Sequence, residues 1–140
     1  KPISRDLSNS SMTRFFIPIQ DALKFVLSSL NRTRGGEIFI PKMNSIKMME
    51  LIQLLDKKAR IKVIGIRPGE KLHESLFSSD ESRSVNQDKN SFIIYSENLS
   101  FKKRFGKKLI KKNAYKSSDI NFLNKNRINS YLTQYFKKKN

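Results

Sequence analysis

The chain has 140 residues, a formal net charge of +17, 37% hydrophobic residues including ten Phe, one His and no Cys. That length suits one compact unit with a modest core. Without Cys there are no disulfides or thiolate ligands, the single His73 argues against a His-based metal site, and no apolar run approaches membrane-spanning length or forms a signal peptide.

In chain order, residues 1–11 are polar and Ser-rich and read as a connecting segment, and Met12 to Ile17 as a short extended piece. Ile19, Ala22, Leu23, Val26, Leu27 and Leu30 recur at helical spacing and predict a helix over about 20–30, with Asp21 complementing its dipole. Asn31 to Gly36 is a turn stopped by Gly35-Gly36, and Glu37 to Ile40 a strand ended by Pro41. Asn44 or Ser45 is the expected cap of a second helix with Ile46, Met49, Leu51, Ile52 and Leu55 on its apolar face. Met43, Met48 and Met49 cluster there as core filler. Ile61 to Ile66 predicts a strand, Gly69 to Phe77 a short helix, and 78–90 an exposed loop or hairpin. Phe92 to Tyr95 is a strand by composition. A final helix over 125–136 should bury Ile128 and Leu132, with Tyr131 and Tyr135 beside them. No internal repeat is visible.

The densest chemistry lies in Ile64-Gly65-Ile66-Arg67-Pro68-Gly69-Glu70-Lys71-Leu72-His73-Glu74. A strand leading through Pro-Gly into a helix would gather a guanidinium, a carboxylate and free N–H groups at one turn. A guanidinium grips phosphate through paired hydrogen bonds, and a helix start adds donors. A carboxylate three residues on can accept from both hydroxyls of a ribose. This chemistry suits a nucleoside diphosphate, but a junction with solvated Arg67 and Glu70 accounts for the same residues equally well.

The segment resembles the RPGEKLHE signature of UDP-N-acetylglucosamine 4,6-dehydratases and related bacterial polysaccharide-biosynthesis proteins of the extended short-chain dehydrogenase/reductase superfamily. Met12-Thr13-Arg14-Phe15-Phe16-Ile17-Pro18-Ile19-Gln20-Asp21-Ala22 resembles a second block and Gly35-Gly36-Glu37-Ile38-Phe39-Ile40-Pro41-Lys42 a third, in the family's order. Tyr115 to Asn121 faintly resembles its Tyr-x-Ser-Asp tail. The resemblance implies an α/β fold, specifically an α+β-like C-terminal lobe of mixed short strands and helices with the Rossmann half absent. It implies a nucleotide-sugar-binding lobe over 1–100, followed by a basic tail with a terminal helix over 101–140.

By the same resemblance, Arg14 and Arg67 clamp the diphosphate of a UDP-sugar and Glu70 accepts from the ribose diol, with Thr13 and Lys42 as weaker contacts. Thr13 could instead bond only the backbone. Lys71 and Glu74 read as a helix-surface pair, and His73 as a packed or surface helix residue. The family reaction is a lyase step by intramolecular redox: NADP takes a hydride from C4, water leaves from C5 and C6, and the hydride returns at C6. The cofactor half carries a Gly-rich turn and a Tyr-x-x-x-Lys pair. None of the five glycines here makes GxGxxG or GxxGxxG, and the one such Tyr-Lys spacing, Tyr135 to Lys139, lies in a lysine-rich run. The expectation is therefore a cytoplasmic, substrate-binding fragment, inactive alone, binding no cofactor or metal, and homo-oligomeric when intact; the start at Lys1 without Met agrees.

Two other classes remain open: a decayed or split gene product that docks onto a separate cofactor half, and a nucleic-acid-binding module. From Phe101 onward basic clumps, Lys102-Lys103-Arg104, Lys107-Lys108, Lys111-Lys112 and Lys137-Lys138-Lys139, interleave with Phe101, Phe105, Tyr115 and Phe122. No zinc-finger, RRM or helix-turn-helix signature accompanies them. A Lys-, Asn- and Ile-rich composition also follows from AT-rich coding, so surface lysine with no specific nucleic acid is the preferred reading. A related UDP-sugar epimerase is the alternative within the family.

Overall fold

The structure, a computed structural model, describes residues 4–96, 104–110 and 113–137, with side chains to residue 134. Phe101, Lys102, Lys103, Lys111, Lys112 and the side chain of Tyr135 lie outside the described residues. The described residues form a mixed α/β protein of short strands and three helices that divides into two compact units. The first draws on 4–16, 44–74 and 117–137, the second on 17–43 and 75–116. Among the described residues no helix is long and apolar enough to cross a membrane.

In the first unit, Ser4–Leu7 (β1) pairs in parallel with Arg60–Val63 (β5). The segment read as a connector is thus partly a strand, held by backbone pairing although only Leu7 of its four residues is buried. Thr13–Phe16 (β2) runs antiparallel to Asn44–Lys47 (β4), with Arg14 opposite Ile46. Here the sequence reading is corrected. Asn44 and Ser45 do not cap a helix; they lie in β4, and the helix Met48–Leu55 (α2) starts after Lys47 with no side-chain cap. The Ser45 hydroxyl donates to the Arg14 carbonyl, and its backbone exchanges bonds with Asn121 and Leu123.

The C-terminal helix Lys125–Lys137 (α3) places Ile128 beside Ile46 and Leu123. Phe16, Leu51, Leu54, Tyr131 and Leu132 pack around these three buried residues. Burying such side chains is what offsets the entropy of ordering the chain.

The second unit is built on a four-stranded antiparallel sheet. Its order is Glu37–Pro41 (β3), Ser91–Tyr95 (β8), Val85–Gln87 (β7), Lys107–Lys108 (β9). The polar stretch after residue 78 is not all exposed: a 3-10 turn, Glu81–Ser84, buries Ser82, and β7 buries Val85 and Asn86. A second pair joins Ser75–Phe77 (β6) to Tyr115–Lys116 (β10), and the Phe77, Phe92 and Tyr115 rings pack together. The Tyr95 hydroxyl accepts from the Phe105 N–H at 2.6 Å.

The helix Ile19–Arg32 (α1) forms where periodicity predicts, yet none of its residues is buried. Ile19, Leu23, Val26, Leu27 and Leu30 are 51–78% exposed. Its last turn is secured by Arg32, which pairs with Asp88 at 2.7 Å and lies over the Phe39 and Phe105 rings.

Candidate functional site

The main departure from the sequence reading falls on the signature itself. No helix follows Arg67-Pro68-Gly69-Glu70; the chain turns, runs irregularly through 71–74 and enters β6. The Glu70 N–H donates to the Arg67 carbonyl at 3.0 Å, closing a four-residue turn with Gly69 at φ +80°. That dihedral is open to glycine and strained for most other residues. Helix-start donors are therefore absent from this site, and whatever grips an anion here must be side chains and turn amides.

Glu70 organises the turn. Its carboxylate accepts from the Arg67 N–H at 3.2 Å. The buried Ser8 hydroxyl is the largest influence holding the Glu70 carboxyl below its usual range, followed by that Arg67 bond. Slight burial opposes them, and the charges of Arg67 and Arg14 add to the lowering. An ionised carboxylate has about four acceptor directions, so lone pairs remain for hydroxyl donors from outside.

Arg14 reaches from β2 to the residues that follow this turn. Its Nη1 donates to the Thr13 carbonyl at 2.7 Å and the Leu72 carbonyl at 3.2 Å, while Nε lies 3.6 Å from Glu74 Oε1. The same Leu72 carbonyl accepts from the Thr13 N–H. Glu74 thus partners Arg14 from a non-helical segment, and the expected Lys71–Glu74 helix pair does not form; Lys71 is exposed. Arg67 is exposed.

Thr13 is buried, and its hydroxyl is engaged within the protein: Oγ1 lies 2.7 Å from His73 Nδ1 and 2.7 Å from Ser117 Oγ. Ser117 Oγ also accepts from the Glu74 N–H at 3.0 Å, and the Ser117 N–H donates to the Glu74 carbonyl at 2.9 Å.

Four of the five sequence candidates, Thr13, Arg14, Arg67 and Glu70, thus belong to the first unit, with Arg67 and Glu70 in the turn and Thr13 and Arg14 bonded to residues 72–74 just after it. Lys42 belongs to the second unit, where its Nζ donates to Gln87 Oε1 at 3.1 Å and the Asp88 carbonyl at 2.6 Å and lies over the Phe92 ring. Sequence reasoning missed Ser8, for which no motif speaks, and Ser117, which the Tyr-x-Ser resemblance touches. Of the aromatic residues considered for base stacking, Tyr115 is buried and exchanges hydrogen bonds with the Met43 backbone. Phe105 is covered by Arg32 and Arg34, and Phe122 lies beneath Lys47.

The described residues include no Gly-rich strand-to-helix turn of the kind that cradles a dinucleotide. Among the described residues no glycine opens a helix after a strand: α1 follows Pro18, α2 follows Lys47 and α3 follows Asn124. All five glycines have positive φ in turns and loops instead.

Residues 4–96 match the family described as polysaccharide biosynthesis protein. A UDP-N-acetylglucosamine 4,6-dehydratase (inverting) of Campylobacter jejuni subsp. jejuni serotype O:2 is 47% identical over 88 residues, which are 63% of this chain and 26% of that protein. An uncharacterized membrane protein, MJ1061, of Methanocaldococcus jannaschii is 34% identical over 139 residues, 91% of this chain and 40% of its own. Among solved structures, the X-ray structure of Pen from Bacillus thuringiensis superposes with a TM-score of 0.77 at 28% identity, covering 94% of this chain and 40% of that one. The chain therefore spans between about a quarter and two fifths of the length of these relatives.

Proposed function

Since the chain belongs to the polysaccharide biosynthesis protein family, we propose that it binds and positions the UDP moiety of a UDP-N-acetylglucosamine-like sugar for a cytoplasmic nucleotide-sugar 4,6-dehydratase. The observation that carries this reading is that Arg14 bonds the Leu72 carbonyl and pairs with Glu74, just past the turn in which the Glu70 carboxylate accepts from the Arg67 N–H. In this reading Arg14 and Arg67 take the diphosphate oxygens and Glu70 takes the ribose hydroxyls. Thr13 holds residues 72 and 73, which follow the turn, and Lys42 serves the second unit.

The lyase chemistry lies outside the described residues. NADP supplies hydride transfer in the reaction proposed for the intact enzyme, and a cofactor-binding half must provide its site. This chain's part is orientation. Holding the remote diphosphate fixes the sugar ring, and binding energy spent far from the reacting carbons can support the reaction there.

Calorimetric titration of UDP into the chain tests the reading. Arg67→Ala removes charge-assisted hydrogen bonds of about 1.5–3 kcal/mol and should weaken UDP about ten- to a hundredfold, whereas Lys71→Ala should change it less than about twofold. Equal losses would refute the clamp. The chain alone should release no 4-keto product from UDP-N-acetylglucosamine. Joined to a cofactor-binding half it should yield that product, and a C4 epimer in its place would mark an epimerase.

A further inference from the structure

The proposed contacts, Arg14, Arg67 and Glu70, leave unexplained a buried cluster bonded to His73 and Glu74. Thr13 and Ser117 are 3% and 0% exposed, and their hydroxyls lie 2.7 Å apart. Two polar side chains so completely removed from water are costly unless every bond they can make is made. Here the bonds run outward to one segment: Thr13 Oγ1 to His73 Nδ1, and Ser117 Oγ to the Glu74 N–H, with the Ser117 N–H returning to the Glu74 carbonyl. Ser117 Oγ also reaches the Thr13 carbonyl at 3.3 Å, the same carbonyl that Arg14 Nη1 grips.

We propose that the Thr13–Ser117 hydroxyl pair is a positioning device for the nucleotide site. It ties residues 72–74 to β2, and so sets where the Arg67–Glu70 turn stands relative to Arg14. This inference rests on the proposed UDP reading. Arg14 is fixed to the Leu72 carbonyl and paired with Glu74, so both of its outside partners lie on the segment that the pair secures. Only Lys71 separates Glu70 from that segment. Without the pair, the two arginines would each remain present but would no longer be held at one separation, and a diphosphate with a fixed distance between its phosphates would lose one of them. Ser117 acts through others and touches no ligand in this scheme. Its contribution comes from a part of the chain over 40 residues beyond the signature.

The experiment compares UDP affinity of the full chain with Ser117→Ala, Thr13→Val and Thr13→Ser, each at a temperature where its thermal melt shows it folded. Ser82→Ala serves as a control, since Ser82 is another buried hydroxyl, bonded to the Ser79 carbonyl in the second unit. Because His73 is the only histidine, its imidazole resonances report the cluster without assignment ambiguity. The expected result is about tenfold weaker UDP binding and displaced His73 resonances in Ser117→Ala and Thr13→Val. Thr13→Ser, which keeps the hydroxyl, should retain affinity, and Ser82→Ala should lower only the melting temperature. Should Ser117→Ala fail to fold, the contrast between Thr13→Val and Thr13→Ser decides. Wild-type affinity in both hydroxyl deletions, with only their melts lowered, would overturn the proposal and leave the UDP reading standing; loss of folding in both would overturn it in the same way. A wild-type chain that does not bind UDP would overturn both.

Discussion

Replacing Asp88 by Asn should remove a pH-dependent part of the second unit's stability. Asp88 sits in the turn between β7 and β8 and accepts from the Ser91 N–H at 2.7 Å, the Ser91 hydroxyl at 2.8 Å and the Asn90 N–H at 2.9 Å, besides its pair with Arg32. Burial pushes its carboxyl upward, but the Ser91 hydroxyl, the Arg32 guanidinium and the two N–H groups outweigh that and lower it from 3.8 to about 2. A depression of nearly two units corresponds to about 2.5 kcal/mol at roughly 1.4 kcal/mol per unit, and to about 2 kcal/mol once screened. The side chain is 25% exposed, so solvent screening takes only a modest share. The folded value lies below the unfolded one, so this stability is fully present above the unfolded value of 3.8 and is lost as pH falls through about 2. Urea unfolding of wild type and Asp88→Asn at a series of pH values measures it. The two should differ by about 2 kcal/mol near neutral pH and converge near pH 2. Glu37, Glu70 and Glu81, also lowered, are common to both proteins and cancel. A difference that stays constant with pH would refute the argument.

Three further outcomes follow from packing. Gly106 has φ +69°, and a Cβ there would lie 2.7 Å from the Gln87 carbonyl carbon, so Gly106→Ala should cost upwards of about 2 kcal/mol in urea unfolding; a neutral effect would contradict the close approach of the β9 edge. Tyr115→Phe strips the Met43 N–H and carbonyl of their partner and should cost about 1–2 kcal/mol by the same assay, with the aromatic stack of Phe77 and Phe92 intact. Leu23→Gln combined with Leu27→Gln, on the outward face of α1, should shift stability by less than about 0.5 kcal/mol each and reduce self-association in sedimentation.

The elements legible in the sequence are those whose pattern is local. α1 and α3 follow their 3.6-residue spacing, and β2, β3 and β8 follow apolar, β-branched or aromatic runs, while the strand expected over Ile61 to Ile66 forms only as β5 and ends at Val63. What escaped was decided at long range. Ser45 and Asn44 are good helix caps by type, but pairing with β2 and with Asn121 to Leu123 draws them into a strand. Glu70 to Glu74 are good helix formers by type too. There the Leu72 carbonyl is given to Thr13 and Arg14, and the Glu74 N–H to Ser117, so no helical ladder can propagate. For the site, Arg14, Arg67 and Glu70 could be nominated from the motif. The partners that hold them, Ser8 and Ser117, could not, because nothing in their spacing predicts contact.

The interleaving of the two units has a consequence for biosynthesis. The first unit's core joins Ile46 to Leu123 and Ile128, so its pieces are separated by almost the whole of the second unit. During vectorial synthesis the Arg67 turn emerges well before Ser117 and α3, the segments that complete its setting. The second unit, all of whose strands precede residue 117, can close its sheet first. Closing long loops is slow, and chains awaiting late segments expose apolar surface in the interval. A ribosome stalled a few residues short of Ser117 would thus carry a nascent chain with the Arg67–Glu70 turn already made and without the Ser117 bonds that secure Glu74 behind it.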